Sequence, residues 1–257
     1  MYDAHEYFTE MEEIVSRPAI KKAWQAVERF AVPKIKHAYT VSDGYARMFR
    51  EQYGVDFKVV RNATLLNGTH IPEKPGEYIL YQGAVNVGRG LEALIEAMPQ
   101  VDMPLYICGK GDVFDELQAH VKRLNLQDKV HFKGYVPPDQ LRNYTLNARI
   151  GITLFSSHGL HHQYSLANRF FDYMHAGVPQ IATNFPEYAN FNKECEVAVL
   201  VDELSPQAVA EGINKLLNNP ELYQHIRSEC MRARQTNNWQ GEEEKLIALY
   251  RSIGAPA

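Results

Sequence analysis

The sequence predicts an α/β protein whose main part is a doubly wound parallel sheet, and three features predict it. From Glu77 onward, short apolar runs alternate with amphipathic segments, the pattern of strands covered by helices on both faces. The first run breaks at Gly83 into glycines and opens a helix near Arg89. A later helix is stopped by Gly177 directly before the next apolar run.

Taken in order, the apolar runs at 78–82, 105–108, 130–132, 150–155, 180–182 and 197–201 read as strands. Amphipathic stretches at 89–98, 112–124, 138–146, 166–176, 205–218, 220–235 and 239–252 read as helices. Ahead of them lie a long helix pattern over 7–30, a strand at 38–41, a helix at 42–52 and a strand at 58–60. That is too little chain to cover a sheet by itself. The polar stretch 62–76, with Asn67, Gly68, Pro72, Pro75 and Gly76, suits a linker. The predicted division is therefore 1–65 as a partial N-terminal lobe, 66–76 as linker, 77–238 as the main domain and 239–257 as a closing helix that returns toward the N-terminal lobe. No internal repeat or low-complexity tract interrupts it.

Composition narrows the function classes. With 27 basic and 31 acidic side chains the formal charge is −4, so no general positive field favours nucleic acid as a partner. Cys108, Cys195 and Cys230 are odd in number and widely spaced, which fits reduced thiols in a cytoplasmic protein. No apolar run approaches the roughly 20 residues needed to span a bilayer, and no signal-peptide pattern opens the chain. The basic series Arg17, Lys21, Lys22, Arg29, Lys34 and Lys36 has two readings, a solvated helix face or a peripheral contact with anionic lipid at the inner face of a membrane.

Two segments carry chemistry. In the first, from Tyr81 to Leu91, glycines let the backbone approach a ligand, and Arg89 puts a cation at a helix start, where the helix dipole does not favour one. An anionic partner would account for that placement; a solvated arginine in a tight turn is the plainer alternative. In the second, from Tyr164 to Thr183, Ser165 is placed to cap a helix. Leu166, Phe170, Tyr173 and Met174 form its apolar stripe, and Asn168, Arg169, Asp172 and His175 fall together on the other face. A surface pair between Arg169 and Asp172, or a carboxylate reaching a ribose diol, would explain the polar face. His158, His161 and His162 lack acidic or cysteine residues at metal-ligand spacing, and no Asp-x-Asp occurs, so no metal site is predicted.

In this order and separation, the two segments resemble the C-terminal lobe of glycosyltransferase family four, the retaining GT-B enzymes also labelled glycosyltransferase group one. The similarity runs from Glu77 to Ile253 and includes the turn Gly134-Tyr135-Val136-Pro137 and the block SLANRFFDYMHAGVPQIAT. It implies a Rossmann-like nucleotide-sugar domain beside a partial acceptor-side lobe. It also implies Arg89 and Gly83 at the donor diphosphate, the backbone at Ser165, Leu166 and Ala167 against the distal phosphate, Tyr135 and Val136 along the nucleobase, and Asp172 on the ribose. Tyr2 to Glu6 resembles the family's DxHE element, which implies a role for His5 beside the transferred sugar. Three positions depart from the pattern: Tyr164 stands where the first acid of the family's pair falls, Asp172 is shorter than the expected glutamate, and Ala84 replaces a second basic residue.

The function so implied is transfer of a hexose-type sugar, with retention, from a UDP- or GDP-linked donor to a saccharide or lipid-linked acceptor in polysaccharide or glycoconjugate synthesis. It needs no tightly bound cofactor and no metal. The strand expected before Asp3 and the earlier strands of a full lobe are not found, so either the chain is a fragment or a separate polypeptide completes the lobe. A nucleotide-sugar-binding module without turnover, and an epimerase on the same fold, are the competing readings.

Overall fold

The computed structural model describes residues 1–68, 70–157 and 160–254. Its small lobe is a parallel sheet of β1 (Tyr2–Ala4), β2 (Ala38–Thr40) and β3 (Lys58–Val59), in that order, with Tyr2 opposite Ala38 and Tyr39 opposite Lys58. The strand at the chain start therefore contains Asp3, where the sequence reading found no strand ahead of it.

The long helix expected over 7–30 is broken. Pro18 has no N–H to continue a preceding helix but suits a first helical position, so α1 (Glu12–Val15) ends and α2 (Pro18–Ala31) begins there. The α2 helix turns polar groups toward the lobe: Lys21 pairs with Glu10 at 2.7 Å, and Glu28 accepts from Thr9 and from Tyr53 at 2.6 Å. Its apolar residues Ile20, Trp24, Val27 and Phe30 are exposed. Across the sheet, α3 (Asp43–Tyr53) starts with Ser42 accepting from the Tyr45 N–H and ends at Gly54 in the left-handed region. Tyr45, Phe49 and Phe57 fill this lobe, the two phenylalanine rings stacked at 4.1 Å.

The main sheet comprises β4 (Ile79–Gln82), β5 (Leu105–Cys108), β6 (Val130–Gly134), β7 (Ile150–Thr153), β8 (Gln180–Thr183) and β9 (Ala198–Val201). All pairs are parallel in the order β6-β5-β4-β7-β8-β9. Around it lie α4 (Leu91–Ala97), α5 (Phe114–Arg123), α6 (Pro138–Leu146), α7 (Asn168–His175), α8 (Pro186–Glu194), α9 (Pro206–Leu217), α10 (Pro220–Ala233) and α11 (Trp239–Ser252). Strands β4, β7 and β8 are buried along their whole length, which is why they read as continuous apolar runs. The chain passes from β4 to β5 on one side and returns to β7 on the other. The crevice outside the carboxyl ends of β4 and β7 is thus the switch point where such sheets bind ligands.

The sequence reading omitted α8, whose start is signalled by Pro186 in its first turn. The helix matters because Glu187 reaches the small lobe, accepting from the backbone N–H groups of Asp43 and Gly44 at 3.2 Å each. Closing the chain, α11 lies along residues 61–66: Trp239 donates to the Thr64 carbonyl, and Glu242 accepts from the Arg61 N–H, both at 3.0 Å.

Candidate functional site

At the switch point lies a cleft of about 350 Å³ between the lobes. The small lobe contributes His5 and Glu6 just beyond β1, with Val41 and Asn62; the large lobe contributes Gln82, Gly83, Arg89, Phe155, His161, His162 and residues 165–169. Of the residues predicted from sequence, His5, Gly83, Arg89, Ser165, Leu166 and Ala167 are brought together here.

Arg169, which the sequence grouped with the polar face of its helix, is buried. No ion pair joins it to Asp172 among the described residues, and its side chain is not on the surface but 7% exposed. The guanidinium lies 4.7 Å from the Tyr81 ring centre and 4.6 Å from that of Phe155, and donates to the Tyr81 hydroxyl and the carbonyls of Gln82 and Leu154 at 3.3 to 3.4 Å. Its Nε has no partner among the described residues. Gly83 makes room for it, since a Cβ at that position, with φ +131°, would stand 3.1 Å from Arg169 Nη1. Arg89 lies 5.2 Å from the same Phe155 ring. Burial first, and then the Arg169 charge, push its pKa down, yet an arginine stays cationic at neutral pH. Among the described residues neither arginine has a carboxylate at ion-pair distance, so two desolvated cations share one aromatic floor. A cationic side chain so near the start of an apolar helix was the available signal for Arg169.

The loop before α7 supplies the backbone. The N–H groups of Ser165 and Leu166 have no acceptor among the described residues, whereas that of Ala167 donates to the Tyr188 hydroxyl at 3.1 Å. Ser165 does not cap the helix as expected: Ala167 holds the cap position, and the Ser165 hydroxyl donates to the His161 carbonyl at 2.9 Å. His162 stacks on Phe155 at 4.3 Å, and burial, followed by the Arg89 charge, drops its pKa to about 2. His161 is also lowered, chiefly by burial, and its Nδ1 lies 2.7 Å from the Tyr45 hydroxyl. His5 is held by the Asp3 carboxylate at 2.9 Å and by Asn62 at 3.2 Å, while Asp3 also accepts from the Tyr39 hydroxyl.

Three predicted residues lie outside this cleft. Tyr135 is 69% exposed, and Val136 packs with Leu80 and Tyr173. Asp172 accepts from Thr64 at 2.7 Å and from Gln82 at 3.0 Å, and burial raises its pKa against the effect of those bonds. It lines a neighbouring cavity of about 380 Å³ with Leu141, Arg142 and Arg234, and Gln82 borders both spaces. His158 falls outside the described residues. Among the described residues no three His, Cys, Asp or Glu side chains are grouped to hold a metal, and no helix is long and apolar enough to cross a membrane.

Two parallel-sheet lobes meeting at a basic cleft define a protein of the GT-B type. The chain belongs to the glycosyl transferases group 1 family, whose model matches residues 67–231. An uncharacterised glycosyltransferase of Methanocaldococcus jannaschii is 22% identical over 67% of this chain and 44% of its own length. Among solved structures, the S. aureus protein TarM in complex with UDP superposes with a TM-score of 0.77 at 18% identity, covering 97% of this chain and 50% of TarM. HepE of Anabaena, in complex with UDP and glucose, superposes at 0.78 and 14% identity, covering 98% of this chain and 71% of HepE. The chain spans under half the length of the curated relatives it matches.

Proposed function

We propose that this chain binds a nucleoside diphosphate sugar and serves a retaining glycosyltransferase, the hexose-type sugar passing to a saccharide or lipid-linked acceptor. The observation that carries the reading is the pair of carboxylate-free guanidiniums, Arg89 and Arg169, beside the unpaired amides of Ser165 and Leu166. A diphosphate supplies what such a site lacks, several anionic acceptor oxygens, and charge-assisted hydrogen bonds to it are strong in a desolvated cleft. The diphosphate sits over Phe155, and the nucleoside extends past Gln82 into the adjoining cavity, where Asp172 receives the ribose hydroxyls.

As the bond from sugar to phosphate breaks, the two guanidiniums stabilise the charge that develops on the leaving oxygen, and that oxygen takes the acceptor's proton. His5, fixed by Asp3 and Asn62 on the opposite wall, orients the sugar. Calorimetric titration with UDP, GDP and ADP tests the reading. One of them binds wild type, and Arg89→Ala and Arg169→Ala each weaken it by about 1.5 to 3 kcal/mol. Unchanged affinity in both variants would remove the arginines from the site.

A further inference from the structure

The cleft is rich in hydrogen-bond donors and poor in strong acceptors. Two guanidiniums, the free amides of Ser165 and Leu166 and the side chains of Asn62 and Asn168 suit phosphate oxygens. A sugar makes the opposite demand, because its hydroxyls donate best to a carboxylate. At residue 164, where the family resemblance places an acid, this chain has tyrosine, and the structure turns that tyrosine away. Tyr164 does not line the cleft; it packs on the small lobe's core, its ring centre lies 5.5 Å from the Arg47 guanidinium carbon, and its carbonyl accepts from the Ser42 hydroxyl at 2.5 Å. A Cβ on Gly44 would come within 2.7 Å of the Tyr164 Cβ, so the side chain is held against the start of α3.

Among the described residues that line the cleft, Glu6 is the only carboxylate. It follows His5 directly, at the carboxyl end of β1, and is exposed. Glu6 and Arg89 both act on the His161 imidazole, in opposite directions, which places the carboxylate within electrostatic reach of the same ring as the cation. We propose that Glu6, reaching from the small lobe, accepts hydrogen bonds from the hydroxyls of the donor sugar. The inference rests on the reading of the cleft as a nucleoside diphosphate sugar site. It makes sugar recognition a property of the lobe interface, while the diphosphate is held by the large lobe.

The test compares wild type, Glu6→Gln and Tyr164→Phe by calorimetry, using UDP, GDP and ADP and the glucose, N-acetylglucosamine and mannose conjugates of each. Glu6→Gln weakens the preferred sugar nucleotide roughly ten-fold and leaves its parent diphosphate unchanged, since only the sugar meets the carboxylate. Tyr164→Phe changes neither affinity. Equal affinity of wild type and Glu6→Gln for the sugar nucleotide overturns the proposal, as does an equal loss for sugar nucleotide and bare diphosphate. A wild-type protein that binds no nucleoside diphosphate defeats the underlying reading instead, and this inference with it.

Discussion

At the scale of single residues, the candidate site holds two cations, Arg89 and Arg169, that have no counter-ion among the described residues. Burying a charge is costly unless it is paired, so a guanidinium such as Arg169, with an unpartnered Nε, marks a place where an anion is expected. Arg169→Met, which keeps the bulk without the charge, is expected to hold or raise the melting temperature while reducing the stabilisation that a bound nucleotide confers; differential scanning fluorimetry with and without nucleotide reads both. The position of Arg89 at the cleft was legible in the sequence because a cation at a helix start is out of place. That of Arg169 was not, since a spacing of three residues to Asp172 suggests a surface ion pair and says nothing of Tyr81 on β4 or Phe155 in the loop after β7, whose rings only the folded chain brings to it. Tyr135 and Val136 were assigned by resemblance; in the structure Tyr135 is exposed and Val136 packs partly against the core.

At the scale of elements, strands were the most legible feature, and β5 falls where the apolar run predicted it. Strands buried on both faces leave an unambiguous apolar signature, while α8 starts from a Phe-Pro turn with little amphipathic contrast. That missed helix ties the lobes together. Glu187 adds to the Ser42 cap of α3 by accepting from two further amides, and Tyr188 fixes the Ala167 amide, so the first turn of α8 contacts both the small lobe and the candidate phosphate loop. Glu187→Ala is expected to cost about 1 to 3 kcal/mol in chemical denaturation, because two α3 amides lose their acceptor. Gly44→Ala is expected to cost a similar amount, about 1 to 3 kcal/mol, by overpacking, since its Cβ would lie 2.7 Å from the Tyr164 Cβ and 2.9 Å from Glu187 Oε2. Urea denaturation of both variants checks these magnitudes.

At the scale of the whole molecule, the lobes are held by α8 on α3 and by α11 on residues 61–66, and three histidines, His175 buried and His161 and His162 half-buried, give stability a dependence on pH. His161, His162 and His175 all have pKa values lowered chiefly by burial, from an ordinary value of 6.5. Below that value the unfolded chain takes up protons that the folded chain refuses, so stability falls as pH drops from 6.5 toward the folded value, about 2 for His162. Asp172 and Glu187, raised by burial, act in the opposite sense near the carboxylate range. Comparing His162→Gln with wild type isolates the histidine. The variant's stability is expected to fall less steeply below pH 6.5, by at most about 1.4 kcal/mol per pH unit, in urea titrations at successive pH values.

Nuclear magnetic resonance with selective labelling tests the central claim most directly, by following the Ser165 and Leu166 amides as a nucleoside diphosphate is added. Both signals are expected to shift strongly with saturating ligand in wild type, and to stay in place in the Arg89→Ala, Arg169→Ala double variant. A nucleotide that binds tightly while leaving these two amides unmoved would contradict the account, because its phosphates would then lie somewhere other than over Phe155.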